Sequence, residues 1–413
     1  MSGCQSIQTD RGRRCGLYVH LPFCQTKCGY CDFYSVVLKN RDTAPLVRGV
    51  ISELKKRVAG CDGRIETCFF GGGTPTLLPV EQLESLLAAL AGVIGRREWA
   101  EFTVEANPGT VDSDKARLLR DSGVTRVSMG AQSFFPSELD ALERIHNPDD
   151  IAVSVATLRE AGISQINLDL IFGIPGQTLA SWQASLERAV DLGPDHVSAY
   201  GLTYEPGTRL TAQRAKGRVA VCDEGLEAEM YELGMDFLER AGFEQYELSN
   251  YARSGARCAH NLIYWHNEAY LAVGPSAAGC VGDRRYKNVA DVDAYIRMMD
   301  ADGCAEAFHE TINVATLIDE IIMMQMRLNE GLSRQAFQSR TGLDFVALCS
   351  AKLRSLKEAG LVDVGDARVA LTRSGRLVAD YVITELAAHC GAAEALRVAH
   401  LLPEVGESMI VTD

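Results

Sequence analysis

Short apolar strand patterns alternate with amphipathic helix patterns through the first half of the chain. The helical patterns repeat apolar residues every three or four positions, as in Leu83, Leu86 and Leu90. The predicted strands cover 17–20, 66–70, 101–105, 125–129, 165–172 and 196–200. Strands joined by helices form right-handed βαβ units and therefore a parallel sheet. About six such units predict an α/β fold, and periodicity alone suits an open sheet as well as an incomplete (β/α)6 barrel.

Glycine and polar residues stand where these predicted strands end. Residues 71–73 are a glycine triplet that follows Phe70, and Glu105 closes the next strand. Gln132 and Asp169 hold similar positions in two later strands. Functional residues of (β/α) barrels gather at the carboxyl ends of the strands. The recurrence therefore predicts one shared site at the top of a barrel.

The pattern changes in the second half of the chain. Residues 222–242 predict a long helix and residues 243–251 a strand. Three helical stretches, two short strands and a further helix follow from about residue 315, which is a winged-helix order without a notably basic face. The predicted divisions are a loose tail over 1–14, a barrel over 15–250, an irregular connecting region over 251–312, a winged-helix-like domain over 313–390 and a tail over 391–413.

Three cysteines, Cys24, Cys28 and Cys31, follow the first predicted strand in a C-x3-C-x2-C spacing. Ordinary iron–sulfur clusters have four cysteine ligands, so a [4Fe-4S] cluster held by three keeps one iron open. An open position is what a catalytic metal needs. The alternatives are a structural zinc site and three unrelated thiols. Zinc requires four ligands, and no second Cys/His pair stands at finger-like spacing in the sequence.

Composition limits the compartment and the partners. The 13 cysteines are odd in number and scattered, which fits free thiols in a reducing cytoplasm. We therefore expect a cytoplasmic protein in which Cys349 and Cys390, among others, are packing or surface residues. The net charge of −14 argues against nucleic acid as the main partner. The sequence shows neither a membrane-spanning segment nor a signal peptide.

Around the three cysteines the sequence resembles the radical S-adenosylmethionine (SAM) enzymes, because the cysteine motif follows Tyr-x-His-x-Pro-Phe. In that superfamily the open iron binds the amino and carboxylate groups of SAM. The resemblance implies a TIM-type barrel with a [4Fe-4S] cluster on Cys24, Cys28 and Cys31, and SAM as the second cofactor. It places Tyr30 near the adenine.

The motifs that follow are similar to those of oxygen-independent coproporphyrinogen III dehydrogenase and its relatives, over about residues 15–390. Gly-Gly-Gly-Thr-Pro-Thr begins at Gly71, and Asn-Leu-Asp-Leu-Ile-Phe-Gly-Ile-Pro-Gly contains Asp169. A carboxylate inside an apolar strand is costly without a partner. The resemblance implies that SAM contacts Tyr18, Tyr30, Gly72, Gly73, Thr74, Glu105, Gln132, Arg144, Asp169 and Thr203.

Two features favour the haem chaperones of this subfamily over the dehydrogenase. The dehydrogenase has a further cysteine two positions after the third cluster cysteine, where this chain has Phe33. It also has a longer extension before its first cluster cysteine. Second, His-Asn-Leu-Ile-Tyr-Trp resembles the His-Asn-x-x-Tyr-Trp motif of the chaperones and makes His260, Tyr264 and Trp265 candidates for haem binding. The alternative is a buried or loop histidine with two packing aromatics.

The expected function is therefore haem binding and delivery to a haem-accepting protein that the sequence does not identify. The alternatives are a methyltransferase or cyclopropanase-like radical enzyme on a small or peptidic substrate, and coproporphyrinogen dehydrogenation. No catalytic residue is assigned, and whether the chain is an enzyme stays open. The resemblance implies an electron donor such as flavodoxin or ferredoxin, and allows a peripheral membrane acceptor. The sequence does not fix the oligomeric state or the roles of Cys258 and Cys280.

Overall fold

The computed structural model describes residues 14–61, 63–95 and 99–390. They form two compact units. The first runs to Tyr264 and resumes over Glu268–Thr311, and the second comprises Trp265–Asn267 and the residues from Ile312. Apart from Arg14, which begins the first strand, the tails predicted from sequence lie outside the described residues. No helix in these ranges has the length and apolar character that crossing a membrane requires.

Strands and helices alternate as follows. The strands of the first unit are β1 (Arg14–Leu21), β2 (Phe23–Cys24), β3 (Val36–Val37), β4 (Arg64–Gly72), β5 (Glu101–Ala106), β6 (Arg126–Gln132), β7 (Gln165–Phe172), β8 (His196–Gly201), β9 (Glu244–Gln245), β10 (Asn250–Ala252), β11 (Ala269–Val273), β12 (Ala278–Val281), β13 (Arg284–Asn288) and β14 (Glu306–Thr311). Its helices are α1 (Ala44–Ala59), a 3-10 turn (Pro75–Leu77), α2 (Val80–Ile94), α3 (Ser113–Asp121), α4 (Pro136–Ala141), α5 (Pro148–Ala161), α6 (Leu179–Asp191), α7 (Arg209–Ala215), α8 (Glu224–Arg240), α9 (Ala259–Trp265, which ends on a residue of the second unit) and α10 (Val292–Ala301).

The second unit has its own short elements. They are α11 (Val314–Gln325), β15 (Leu332–Ser333), α12 (Arg334–Thr341), α13 (Phe345–Leu348), α14 (Ser350–Glu358), β16 (Val362–Val364), β17 (Arg368–Leu371), α15 (Arg373–Leu377) and α16 (Ala379–His389). The three strands pair antiparallel in the order β15-β17-β16. Helices followed by a hairpin and a further helix agree with the winged-helix-like order that the sequence predicts.

The barrel part of the main sheet is formed by six consecutive parallel strands in the order β1-β4-β5-β6-β7-β8. Each step from β4 to β8 returns through at least one helix, so these are βαβ units. Side chains of β4, β5, β6, β7 and β8 line a single cavity, which requires the sheet to curl around it. The predicted incomplete (β/α)6 barrel is confirmed.

Apolar residues on the facing sides of strands and helices explain why these segments form the barrel wall. Leu17, Val19 and Leu21 of β1 are fully buried, as is the leucine face of α2 that the sequence predicts. Trp182 of α6 is buried, and its indole Nε1 donates to the Met230 carbonyl of α8 at 2.8 Å. Burial of a large apolar side chain contributes about 1.5–3 kcal/mol. The apolar core thus holds the outer helices against the sheet, and the ends of the strands remain available to form a functional site.

The region over 251–312 differs from the irregular connection that the sequence predicts. There β11 pairs parallel with β1, and β12, β13 and β14 extend the same sheet antiparallel. Buried Glu53 of α1 holds this extension, since its carboxylate accepts from the Gly274 backbone amide, the Asn288 side-chain Nδ2 and the Tyr295 hydroxyl at 2.8–3.0 Å. These four strands are only four to six residues long, so the strands they pair with determine them more than their own periodicity does.

One expectation about the cysteines is wrong. Cys349 and Cys390 of the second unit form a disulfide with Cα atoms 4.7 Å apart, whereas the sequence predicts free packing or surface thiols. Pairing is not visible in sequence because the two residues are 41 positions apart and their closeness depends on how α14 and α16 pack. The three cysteines of the C-x3-C-x2-C motif are free thiols.

Candidate functional site

The cysteine loop lies at the carboxyl end of β1. Cys24 ends β2, and the Cys31 amide donates to the Cys28 carbonyl at 3.4 Å, which turns the loop. All three thiols line one cavity of about 170 Å³. Burial raises the pKa of Cys24 and raises that of Cys31 to about 11, so these thiols stay protonated unless a cation replaces the proton.

Three facing thiols fit an iron–sulfur cluster better than a single ion. Within the described ranges, no group of three or more His, Cys, Asp or Glu side chains is placed to hold one metal ion. A cluster differs because each cysteine binds a separate iron atom, so the sulfurs stand farther apart. The Arg144 guanidinium Nη1 donates to Cys28 Sγ at 3.4 Å, so a positive charge lies beside the cysteine loop. The residues present therefore fit the cluster that the motif predicts.

The glycine triplet brings backbone against the cysteine loop. Gly72 has φ = +102°, and its amide donates to Glu105 Oε2 at 3.0 Å. A Cβ at Gly73 would lie 2.6 Å from the carbonyl oxygen of Phe23, and one at Gly71 would lie 2.8 Å from Glu105 Oε2. Only glycine permits such approach. The amides of Gly73 and Thr74 donate to the carbonyls of Leu21 and Phe23 at 2.9 and 2.8 Å, so the turn is fixed against the residues that lead into the cysteine loop.

Two half-buried carboxyl groups, those of Glu105 and Asp169, line the same space. Burial, reinforced by repulsion from Asp169, raises the pKa of Glu105 to about 8. Burial also raises the pKa of Asp169, although Asn167 and Ser128 donate to its carboxylate at 2.7 and 3.4 Å. Two carboxyl groups held together away from water favour a cationic ligand, because a positive charge would ionise both. A sulfonium nucleoside such as SAM fits this arrangement.

Gln132 and Arg144 complete the wall. Gln132 has φ = +65° at the bulge that ends β6, a conformation that non-glycine residues adopt mainly at constrained sites. Arg144 Nη2 donates to Asn107 Oδ1 at 2.5 Å and to the Gly130 carbonyl at 2.8 Å. Both side chains line the cavity that contains the cysteines.

The predicted SAM residues largely converge. A second cavity of about 420 Å³ adjoins the first and extends into the barrel. The predicted residues that line one or both cavities are Tyr30, Gly72, Gly73, Thr74, Glu105, Gln132, Arg144, Asp169 and Thr203. Tyr18 does not line either cavity; its hydroxyl lies 2.9 Å from Nδ1 of His20.

Asn107 is a site residue that the sequence argument missed. Its Nδ2 donates to Thr74 Oγ1 at 2.7 Å while its Oδ1 accepts from Arg144. It therefore joins the glycine turn to the arginine beside Cys28. The signal was available, since Asn107 stands two residues after Glu105 at a strand end.

The His-Asn-x-x-Tyr-Trp segment forms α9, which Glu101 of β5 anchors. The Glu101 carboxylate accepts from the amides of Ala259 and His260 at 2.7 and 3.2 Å. His260 is fully buried; its Nδ1 lies 2.8 Å from Thr67 Oγ1 and its Nε2 lies 2.8 Å from the Tyr264 hydroxyl. Burial lowers the pKa of His260 to about 4, so the imidazole is neutral.

The structure separates the predicted haem residues from the two cavities. None of His260, Tyr264 and Trp265 lines either cavity, whereas Cys258 and Asn261 line the second. Tyr264 belongs to the first unit and Trp265 to the second. The Trp265 indole Nε1 is buried without a hydrogen-bond partner in the part of the chain described.

The barrel, the three-cysteine loop and the adjoining cavity define a radical SAM protein, and the comparisons agree. Residues 18–189 match the Radical SAM superfamily, and residues 313–378 match the HemN C-terminal domain. Membership of that superfamily implies a [4Fe-4S] cluster and SAM. The solved coproporphyrinogen III oxidase (HemN) of Escherichia coli is similar in fold, with a TM-score of 0.78 at 24% identity over 91% of this chain and 90% of that one.

Relatives give the particular family. The chain is 35% identical to heme chaperone HemW of Bacillus subtilis (strain 168), over 88% of this chain and 97% of that protein. It is 35% identical to heme chaperone HemW of Mycobacterium tuberculosis (strain H37Rv), over 91% and 95%. It is 32% identical to radical S-adenosyl methionine domain-containing protein 1, mitochondrial, of Bos taurus, over 91% and 87%. The chain belongs to the HemW family.

Proposed function

We propose that this chain is a haem chaperone that binds haem and passes it to an acceptor protein. The observation that carries the proposal is the likeness to heme chaperone HemW over 97% of that protein's length. Phe33, which stands where the dehydrogenase has its additional cysteine, supports delivery rather than porphyrinogen oxidation. We also propose a cytoplasmic location, an electron donor of the flavodoxin or ferredoxin class, and acceptors that include proteins at a membrane surface.

The residues proposed to hold the cofactors lie together. Cys24, Cys28 and Cys31 would bind the cluster, which when bound supplies an electron able to split the SAM sulfonium. Glu105 and Asp169 would face the positive charge of SAM, since both line the wall that the two cavities share. Tyr18 is proposed at the margin of this site, where its hydroxyl holds His20 in place.

We propose His260 as the haem ligand, with Tyr264 and Trp265 beside the porphyrin. Both ring nitrogens of His260 are engaged, so an iron bond requires one of those hydrogen bonds to break. The proposal therefore includes a conformational step in which α9 leaves Glu101 and exposes the imidazole. The apparent affinity for haem is then lower than the intrinsic affinity, because only a small fraction of the molecules has the open conformation that binds haem.

Haem titration of the anaerobically reconstituted protein tests this proposal. His260→Ala should abolish the Soret shift of bound haem. Tyr264→Phe should tighten haem binding about 2- to 13-fold, because it removes one hydrogen bond, worth about 0.5–1.5 kcal/mol, from the closed conformation. His309→Ala is the matched control, since that imidazole is on strand β14 and largely exposed.

The outcomes separate the alternatives. Equal Soret spectra of bound haem in wild type and His260→Ala would show that His260 is not the haem ligand. Transfer of the bound haem to apomyoglobin, measured with and without SAM, tests delivery itself. Anaerobic conversion of coproporphyrinogen by the reconstituted protein would overturn the chaperone assignment.

A further inference from the structure

Asn107 stands in the turn that follows strand β5, and backbone contacts fix it there. Its amide donates to Thr110 Oγ1 at 3.2 Å, and its carbonyl accepts from the Thr110 amide and hydroxyl at 3.1 and 2.7 Å. Thr110 Oγ1 also lies 2.7 Å from Thr76 Oγ1, which ties this turn to the 3-10 turn that follows the glycine triplet. Asn107 is therefore held in one place in the wall of the cavity that contains the cysteines.

The neighbours of the Asn107 side chain determine which way its amide points. A guanidinium donates hydrogen bonds and cannot accept them, so the atom 2.5 Å from Arg144 Nη2 is Oδ1. Nδ2 therefore faces Thr74 and donates to its Oγ1 at 2.7 Å. Because Thr74 accepts in this bond, its own hydroxyl proton is free to donate to Cys24 Sγ, which lies 3.9 Å from Oγ1. Asn107 thus orients the Thr74 hydroxyl toward a cysteine sulfur.

The other end of the same amide holds Arg144 beside a second cysteine. Arg144 Nη2 also donates to the Gly130 carbonyl at 2.8 Å, and Nη1 donates to Cys28 Sγ at 3.4 Å. A Cβ at Gly130 would lie 3.0 Å from Asn107 Oδ1 and 3.3 Å from Arg144 Nη2, so a glycine there leaves room for the pair. The Arg144 charge also acts on Asp169, whose pKa it lowers against the larger effect of burial.

One side chain thus arranges the hydrogen-bond donors of two of the three cysteine sulfurs. Hydrogen bonds to the sulfurs are among the factors that set the reduction potential of an iron–sulfur cluster. Reduction adds one negative charge to a cluster, so a donor or a positive charge at a sulfur stabilises the reduced form and raises the potential.

We propose that Asn107 is a positioning residue that raises the reduction potential of the cluster. It acts through the hydroxyl of Thr74 and the guanidinium of Arg144, which donate to two different sulfurs. The inference rests on the cluster proposed for the three cysteines of the loop. Asparagine suits this position because its amide accepts at one end and donates at the other, whereas a carboxylate accepts at both ends. Asn107→Asp would draw the Thr74 proton away from the sulfur and add a negative charge beside it.

Redox titration of the anaerobically reconstituted protein, followed by electron paramagnetic resonance of the reduced cluster, tests the proposal. Thr74→Val removes the hydroxyl and keeps the shape of the side chain. The equilibrium constant for one-electron reduction should then fall about 2- to 13-fold, which is about 20–65 mV in potential at about 59 mV per tenfold change. Thr74→Ser keeps the hydroxyl and should keep the wild-type potential. Asn107→Asp should lower the potential at least as far as Thr74→Val does.

A double-mutant cycle shows whether Asn107 acts through Thr74. Asn107→Ala should lower the potential, and Asn107→Ala/Thr74→Val should lower it by less than the sum of the two single effects. Asn313→Ala is the matched control, because that side chain caps helix α11 of the second unit by accepting from the Thr316 amide. It should lower the melting temperature and leave the potential unchanged.

The outcomes are distinct. Equal potentials in wild type, Thr74→Val and Asn107→Asp, each with a full complement of iron and sulfide, overturn the proposal. Strictly additive effects in the cycle also overturn it, because Asn107 then does not act through Thr74. If Asn107→Asp retains no cluster, the comparison of Thr74→Val with Thr74→Ser still decides whether the hydroxyl sets the potential. A wild-type protein that assembles no cluster instead contradicts the proposed function.

Discussion

Removal of the Glu101 carboxylate should detach α9 from the barrel. Glu101 is buried, and it accepts from the Ala259 and His260 amides and from the Cys258 thiol. Its Oε2 also lies 3.4 Å from the Arg126 guanidinium, which is buried as well. Glu101→Ala therefore leaves the buried Arg126 guanidinium without its carboxylate counter-charge, and two helix N–H groups without their acceptor.

The loss of stability in Glu101→Ala can be estimated from those contacts. Breaking a buried ion pair by removing one partner costs about 3–5 kcal/mol. Each unsatisfied buried N–H adds about 1–3 kcal/mol, but the first turn of α9 can reach water once it opens, so these penalties do not add fully. We expect Glu101→Ala to lower the free energy of unfolding of the first unit by about 3–5 kcal/mol. Glu84→Ala, on the exposed face of α2, should change it by less than about 0.5 kcal/mol.

Hydrogen exchange of the α9 amides measures the local effect, and urea unfolding followed by circular dichroism measures the global one. The α9 amides of Glu101→Ala should lose protection before those of β5. The same variant should bind haem more tightly if His260 is the ligand, because the closed conformation is weakened. A loss below about 1 kcal/mol, with α9 protection unchanged, would refute the argument that Glu101 anchors α9.

Three further predictions concern the SAM cavity and the second unit. Because the pKa of Glu105 is raised to about 8, its neutral carboxyl stabilises the SAM-free protein at low pH, and that stabilisation is lost as the pH rises through 8. SAM favours the ionised carboxylate. It should therefore bind about tenfold more tightly at about pH 9 than at about pH 7, as measured by equilibrium dialysis. Gly72→Ala should abolish SAM binding and lower the melting temperature, since its Cβ would lie 2.3 Å from the His20 ring. Cys349→Ser/Cys390→Ser should cost about 2–4 kcal/mol in urea unfolding.

Controls accompany these measurements. S-adenosylhomocysteine has no sulfonium, so its affinity should lack the extra rise with pH, and Glu105→Gln should remove that rise for SAM; an equal rise in both contradicts the charge argument. Gly92→Ala, where a Cβ meets nothing within 4 Å, should stabilise helix α2 by about 0.5–1 kcal/mol. Alkylation of Cys349 and Cys390 in the native protein without reductant would contradict the disulfide.

The sequence predicted those features that depend on residues close together in the chain. Alternating periodicity predicted βαβ units and a parallel sheet. The positions at strand ends predicted that Glu105, Gln132 and Asp169 would face one site at the top of a barrel. The burial of His260 was not predictable in this way, because Thr67 and Glu101, which hold it, are 193 and 159 residues away in the chain. The pairing of β11 with β1 was hidden for the same reason.

That pairing has a consequence for synthesis on the ribosome. β1, which leads into the cysteine loop, lies between β4 and β11, although β11 follows it by roughly 250 residues. At a translation rate of about 5–20 residues per second, one edge of β1 stays open for roughly 13–50 seconds. An open strand edge is a site of wrong pairing, so cluster assembly on the nascent chain would compete with aggregation until the last parallel strand emerges.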